Sequence, residues 1–591
     1  MARKAASDRE KDVASADPTA RPGALALPAA GWIMGPWQDA LLFIGTPLVI
    51  VPLVLLAQQS WSAATLYLAV ASFGAVGHHL PGMMRAYGDR GLFARFRVRF
   101  VVAPLFLVAV CLALTFWNSS PLKLVVFGWG LWHGFMQAHG IARIYDAKAG
   151  SVDAATIRLD FLLLGCWFLA VVLLSPLRLP QLVGFLYDCG LPPVSPGLVH
   201  GLQVAAVVAT VGVSGAWVVH ALRRTRAGSP PSPLKLALHL STIAFWTFCN
   251  LSIGHVLLAI LMFEIFHDVQ YLAIVWIFNR RRADGDPAAG AFTRFLFRQR
   301  GYLVVLYVGM VAGYGSLNLL AGGMHDAYGF DGLLGGLVSA STLLHFYYDG
   351  FIWKLRESET SRTLGVRADA PTGPRGLPWL ASGAGHAAKW ALLVVPLTLV
   401  VLNMLFLASP LRERDRYASL AAIAPDNAKL QSKLAELLAR EGDYVGAIAA
   451  GRRALAGMEP YTADRDDLPT VKSNLVTALM LRSFALVEQG DPQQAAPLVH
   501  EAASLDPGVP GKVRDTARAA AERAQLGPAG AHYAVATLLD PDDVEAWIGL
   551  ARVRSRQGRV PEARTASERA AALAPEHPAV AELRAALAAS G

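Results

Sequence analysis

Apolar runs of about twenty residues recur along the first two thirds of the chain and stop near residue 410. An α-helix needs about 20 predominantly apolar residues to cross a bilayer core. The pattern therefore predicts about eleven spans: residues 38–57, 62–84, 100–118, 121–142, 158–177, 200–221, 235–251, 254–278, 301–320, 332–352 and 388–408. The seventh and eighth are separated only by Leu251 to His255. Beyond residue 410 the pattern changes to apolar positions at helical spacing among many alanines and charges. The first 35 residues are polar and lack the basic start and apolar core of a signal peptide. The expected organisation is all-α. A disordered tail covers 1–35, a polytopic helical membrane domain 36–410, and a soluble helical domain 411–591.

Charge sharpens this picture. Only 16% of the 591 residues are charged and 54% are hydrophobic, where a soluble chain is nearer a quarter charged. The net charge of +9 comes from basic residues at the ends of alternate runs. Arg85, Arg90, Arg95, Arg97 and Arg99 follow the second run, and Arg143, Lys148 and Arg158 the fourth. Arg223, Arg224 and Arg226 follow the sixth, Arg280, Arg281 and Arg282 the eighth, and Lys354, Arg356, Arg362 and Arg367 the tenth. Loops after odd-numbered runs are poor in cations. That alternation predicts a plasma (inner) membrane protein with a cytoplasmic N-terminus and, after eleven spans, an extracytoplasmic C-terminal domain. It explains the positive charge without nucleic acid as a partner. The four cysteines, Cys111, Cys166, Cys189 and Cys249, form no CxxC pair, so a disulfide framework is not expected.

The soluble part repeats. Val544 to Pro575 carries Trp547, Leu550, Ala551, Gly558, Ala563, Ala570 and Pro575 at positions that resemble the tetratricopeptide repeat, a helix pair of about 34 residues. Ala428 to Pro460 repeats the pattern with Gly442, Ala447 and Ala454. Val476 to Pro507 does so with Gly490, Ala495, Ala502 and Pro507, and a degenerate copy with Ala529 and Ala536 ends at Pro541. The resemblance implies an α-solenoid whose concave face takes a protein or peptide partner.

Ionisable residues inside apolar runs are costly and mark a functional site or a buried pair. His78 and His79 lie in the second run, His133 and His139 in the fourth with Asp146 after them, and His239 in the seventh. Glu264, His267 and Asp268 lie in the eighth, His345 and Asp349 in the tenth. The predicted topology puts His78, His79, His139, His239, His267 and His345 at roughly one depth near the cytoplasmic side. Glu264, His267 and Asp268 share a helix face, as do His345 and Asp349. Glu-x-x-His on facing helices is the device that builds di-iron sites in helical bundles, and imidazole with carboxylate suits iron or manganese. The expected metal ligands are His78, His79, His139, Glu264, His267 and His345. His133, His239, Asp268, Asp349 and Asp146 are expected as additional ligands or as acceptors that orient a ligating imidazole. The competing reading is a salt-bridge network in which Arg85 or Arg143 pairs with Asp146 or Asp349.

The histidine array with "GHHL" resembles the membrane desaturases and hydroxylases. That resemblance implies two iron ions, oxidation of a lipid or other membrane-embedded substrate, and a separate electron donor. Haem or another metal is an alternative cofactor, since two intramembrane histidines can serve as axial ligands. The segment "GLWHG" also resembles membrane-bound O-acyltransferases and would make His133 a catalytic base. A non-enzymatic scaffold or transporter is the third expectation.

Overall fold

The computed structural model describes residues 31–150, 153–285, 289–298, 300–319, 330–353, 358–366, 383–408, 411–458 and 467–589. The expected disordered tail lies outside the described residues up to position 30, as does Pro460. Every element among the described residues is a helix. The chain separates into two compact units, residues 1–192 with 197–410, and 193–196 with 411–591.

The first unit contains fourteen helices among the described residues. They are α1 Pro36–Ala57, α2 Ala63–Gly88, α3 Arg90–Trp117, α4 Ser120–Lys148, α5 Ala154–Leu174, α6 Arg178–Asp188, α7 Pro196–Arg226, α8 Pro233–Thr247, α9 Val256–Gly285 and α10 Ala291–Leu296. They continue with α11 Tyr302–Leu319, α12 Phe330–Ile352, α13 Ser358–Thr363 and α14 Gly383–Phe406. Seven of them, α1, α2, α3, α5, α7, α9 and α11, are long and apolar enough to cross a membrane. The other four expected runs are also helical. Of these, α4, α8 and α12 carry the polar residues described below, and α14 holds a shorter apolar stretch, Trp390–Phe406. Helix α6 lies outside the apolar runs because it is only 11 residues long, and it buries one face through Leu179, Val183 and Tyr187.

Local sequence sets the helix ends. Asp89 and Asp153 accept the amides of Leu92 (3.0 Å) and Thr156 (2.8 Å) in the first turns of α3 and α5, satisfying donors that a helix start leaves free. Pro121 and Pro233 sit where a helix start needs no N–H. Among the described residues, three π-helical turns interrupt this regularity, at Ala40–Gly45, Ala71–Val76 and Phe248–Ser252. A π turn displaces backbone carbonyls from the α ladder, and side chains collect them. Gln270 Nε2 donates to Phe43 O at 2.8 Å, and Ser241 Oγ donates to Ile44 O at 2.6 Å.

The packing brings four helices together. Helix α9 lies on α1, α2 and α4, and α12 lies on α2, α3 and α4. Phe263 and Phe266 of α9 share one apolar cluster with Phe168 of α5 and Trp246 of α8, and Leu343 and Tyr348 of α12 share another with Phe100 of α3. Leu48, Leu53, Leu105, Val208, Val211 and Val305 point outward and are exposed. Helix α9 runs on to Gly285, well past its apolar run, so its three consecutive arginines are buried rather than solvated. Arg280 Nη1 donates to Phe297 O (2.6 Å), Arg281 Nη2 to Ile33 O (2.7 Å) and Arg282 Nη1 to Asp89 Oδ2 (2.8 Å). They tie three separate segments to one helix end.

The second unit contains α15 Glu413–Ile423, α16 Ala428–Arg440, α17 Tyr444–Ala456, α18 Leu468–Glu488, α19 Pro492–Leu505, α20 Val509–Glu522, α21 Leu526–Leu539, α22 Val544–Arg556, α23 Val560–Leu573 and α24 Pro578–Ala589. From α16 to α23 they pack in consecutive pairs. Ala447, Ala454, Ala495, Ala502, Ala529, Ala536, Ala563 and Ala570 are all buried where helices cross; a larger side chain there would hold the helices apart. The turn inside each pair needs one residue with positive φ. Gly442 (84°), Gly490 (85°) and Gly558 (76°) supply it, but the degenerate copy uses Ala524 (58°). A Cβ in this region is disfavoured by about 1–2 kcal/mol, partly offset by the greater freedom of glycine in the unfolded chain. Ala524→Gly is therefore expected to stabilise the second unit by up to about 1 kcal/mol. A higher melting midpoint in detergent checks this; a lower one contradicts it.

Candidate metal centre

His78, His133, His267 and His345 come from α2, α4, α9 and α12, and one nitrogen of each lies within 4.8 Å of the other three. All four side chains are buried. His345 Nε2 is 3.0 Å from His78 Nε2 and 3.2 Å from His133 Nε2. His267 closes the group, with its ring centroid 5.0 Å from that of His133 and 5.2 Å from that of His78. A ring nitrogen has a single in-plane direction, used either by a proton or by a lone pair. His345 Nε2 therefore cannot serve both neighbours well as a hydrogen-bond partner. A cation at the centre can accept all four lone pairs.

The surroundings fix how the rings stand. The π turn Ala71–Val76 ends just before His78 and shifts the residues after it around the helix axis. His78 Nδ1 faces two acceptors, Asp268 Oδ1 at 2.8 Å and Gly74 O at 3.2 Å. Those partners assign the proton to Nδ1 and leave the Nε2 lone pair aimed at the centre. A carboxylate behind a histidine in this way orients a ligand and raises its basicity. Gly74 makes the approach feasible, because a Cβ there would overlap Asp268 Oδ2. Gly74→Ala is expected to displace the carboxylate and weaken metal binding by about 10–100-fold, the usual cost of losing such a partner. A metal titration of the folded variant measures this, and unchanged affinity would contradict the role given to Asp268.

Asp349 flanks the opposite side. Its Oδ1 accepts from Tyr271 Oη and Trp353 Nε1, both at 3.1 Å. Its Oδ2 is turned towards the centre, 3.7 Å from His345 Nε2. Gly82 leaves room for this pair, since a Cβ there would stand 2.9 Å from Tyr271 Oη.

The remaining expected residues fall in three places. His79 stacks on His345 (centroids 4.8 Å) and its Nδ1 is 3.0 Å from Ser341 Oγ, so it walls the centre rather than joining the four. Glu264 lies one turn before Asp268, within electrostatic reach of Asp268, His78 and Arg178, and is not one of the grouped ligands. His139, His239 and Asp146 belong to a second network. There Lys235 Nζ lies 3.0 Å from both Asp146 Oδ2 and Asp160 Oδ2, His239 Nε2 lies 3.4 Å from Asp160 Oδ1, and Trp217 Nε1 donates to Asp160 Oδ1 at 2.7 Å. Six residues of helix put His139 about 9 Å along the axis from His133, so only one of the two can reach the centre. Helix α4 runs on to Lys148, and its packing against α9 and α12 brings His133, not His139, to His267 and His345.

Of the expected arginine pairings, Arg143 lies within electrostatic reach of Asp146, and Arg85 of Asp349. Arg85 lies between the Phe278 and Trp353 rings, 4.1 Å from each, and donates to Thr360 Oγ1 at 3.3 Å. Asp146 also takes Lys235, at 3.0 Å. For the acyltransferase expectation, His133 Nε2 faces His345 Nε2 at 3.2 Å and its ring stacks on Phe346 at 4.6 Å.

Comparison with known proteins bears on the second unit. A family model described as "Tetratricopeptide repeat" matches residues 520–587. The second unit thus carries tetratricopeptide repeats. A solved structure entitled "Crystal structure of YrrB: a TPR protein with an unusual peptide-binding site" is 17% identical and covers 34% of this chain and 98% of its own, with a TM-score of 0.15. No curated protein matches the chain.

Proposed function

We propose that the first unit is an integral membrane metalloprotein that holds one metal ion on His78, His133, His267 and His345 and carries out oxidative chemistry on a lipid or another membrane-embedded substrate. The observation that carries this is the convergence of four buried imidazoles from four helices. Burying that many polar rings in one apolar bundle without a shared partner would be costly. Four ligand atoms form one compact group, which supports one ion rather than two.

The donor set narrows the metal. Imidazole suits iron, copper and zinc, and nearby carboxylate oxygen favours iron or manganese. Structural zinc sites are usually built with cysteine, and none of the four cysteines is grouped with these histidines. Iron is therefore the proposed metal, and it would supply the redox step. The chain's own residues bind it, orient it through Asp268, and place Asp349 Oδ2 beside the centre as a proton acceptor. Electrons would come from a separate donor. The apolar outer faces of α1, α3, α7 and α11 support a membrane setting. The alternation of basic loops supports a cytoplasmic N-terminus and an extracytoplasmic repeat unit that docks a protein or peptide partner.

The test is iron-loaded protein in vesicles of native lipid, with a chemical reductant. Oxygen uptake with oxidised lipid products, absent from the chelated protein, is expected. Metal-loaded protein that consumes no oxygen and leaves the lipids unchanged would contradict the oxidative reading.

A further inference from the structure

Helix α11 lies backbone to backbone against the π turn Ala71–Val76 of α2. A Cβ on Gly315 would overlap Ser72 O, and one on Gly77 would stand 2.7 Å from Val311 O. A side chain at either position would hold the two helices apart. The close approach carries Tyr314 of α11 to α12, where its Oη lies 2.8 Å from Ser341 Oγ. Ser341 Oγ in turn lies 3.0 Å from His79 Nδ1. A hydroxyl can donate to one neighbour and accept from another, so one serine satisfies both at once.

What this chain of hydroxyls serves follows from His345. His78 is held from behind by Asp268 at its Nδ1, but His345 Nδ1 is buried and has no hydrogen-bond partner. No acceptor behind the ring sets its angle; other rings do. His78, His133 and Tyr271 meet it edge-on, with centroids at 4.5, 4.7 and 5.1 Å. Among the described residues only His79 stacks on it, at 4.8 Å with 25° between the planes. We infer that Tyr314 and Ser341 are positioning residues for the metal centre. They pin His79 through its Nδ1, and the pinned ring keeps His345 Nε2 aimed at the ion. His79 thus braces a ligand from another helix, although it neighbours the ligand His78 in sequence. The inference rests on the metal reading of the four histidines and is independent of which metal they hold and of oxidative chemistry.

The test is a cobalt(II) titration of the chelator-stripped full chain in detergent, followed by visible absorption, because the ligand-field bands of cobalt(II) report the angles among its ligands. Loss of a partner that orients a ligand costs about 10–100-fold in affinity, and a brace that acts through a second ring belongs at the lower end. Ser341→Ala strands His79 Nδ1 and Tyr314 Oη, and is expected to bind cobalt(II) about tenfold more weakly than the parent, with displaced bands. Ser341→Thr keeps a hydroxyl and is expected to restore both. Tyr314→Phe leaves the inner bond to His79 and is expected to weaken binding about threefold; it decides if Ser341→Ala does not fold. A folded variant with the parent's affinity and bands overturns the proposal. Weaker binding with unchanged bands, or a loss that Ser341→Thr does not restore, also overturns it, since either marks loosened packing and not a turned ligand. A parent that binds no cobalt(II) removes the metal reading itself and the brace with it, whereas a parent that binds beside indifferent variants removes only the brace.

Discussion

His345→Ala is expected to empty the centre. Its Nε2 stands 3.0 Å from His78 Nε2 and 3.2 Å from His133 Nε2. Partners that only orient a ligand cost about 10–100-fold when removed, so loss of a ligand should exceed about 100-fold. Metal per chain should fall from about one to a trace after purification. Two comparisons make this specific. His133→Ala should behave like His345→Ala, because both nitrogens belong to the group. His139→Ala should retain its metal, because that histidine lies in the other network. Equal metal loss in His139→Ala and His345→Ala, with both folded, would show that the grouping of ligands is wrong.

Lys235→Met is expected to be the most destabilising single change in the first unit. Lys235 is fully buried and stands 3.0 Å from two buried carboxylates, on α4 and α5. The methionine keeps the apolar stem and removes the ammonium. Asp146 and Asp160 would then repel across the gap it leaves. Breaking a buried pair by removing one partner costs about 3–5 kcal/mol, and here one cation serves two anions. Thermal unfolding in detergent should show a large drop in midpoint. Adding Asp160→Asn to the same chain should restore part of it, since one of the two stranded charges is removed. An unchanged midpoint in Lys235→Met would mean that the triad contributes nothing.

The two kinds of pattern in the chain were legible to different degrees. Runs of about twenty apolar residues translate directly into helices, and alanine at helix crossings with glycine at the turns reads as repeats; both follow from local spacing. Helix lengths were harder. Helices α4 and α9 continue beyond their apolar runs because buried partners, such as Lys235 for Asp146 and Asp89 for Arg282, offset the polar residues of the extra turns. The choice between His133 and His139 is set by how α4 packs on α9 and α12, which apolar runs do not record. The pairing of His78 with Asp268 rests on a π turn and on Gly74, neither of which leaves a periodic signal. One cation near the start of an apolar run reads as a topology signal, and only the packing of α8 on α4 and α5 shows that Lys235 is buried.

Plasma mass spectrometry of the detergent-purified full chain, alongside the His345→Ala variant and with a visible spectrum of each, tests the central claim most directly. The account predicts about one redox-active metal ion per chain, without a haem band, and a trace in the variant. Clean, folded protein that holds no metal and takes none up on reconstitution, or a variant that holds as much as the parent, would contradict it.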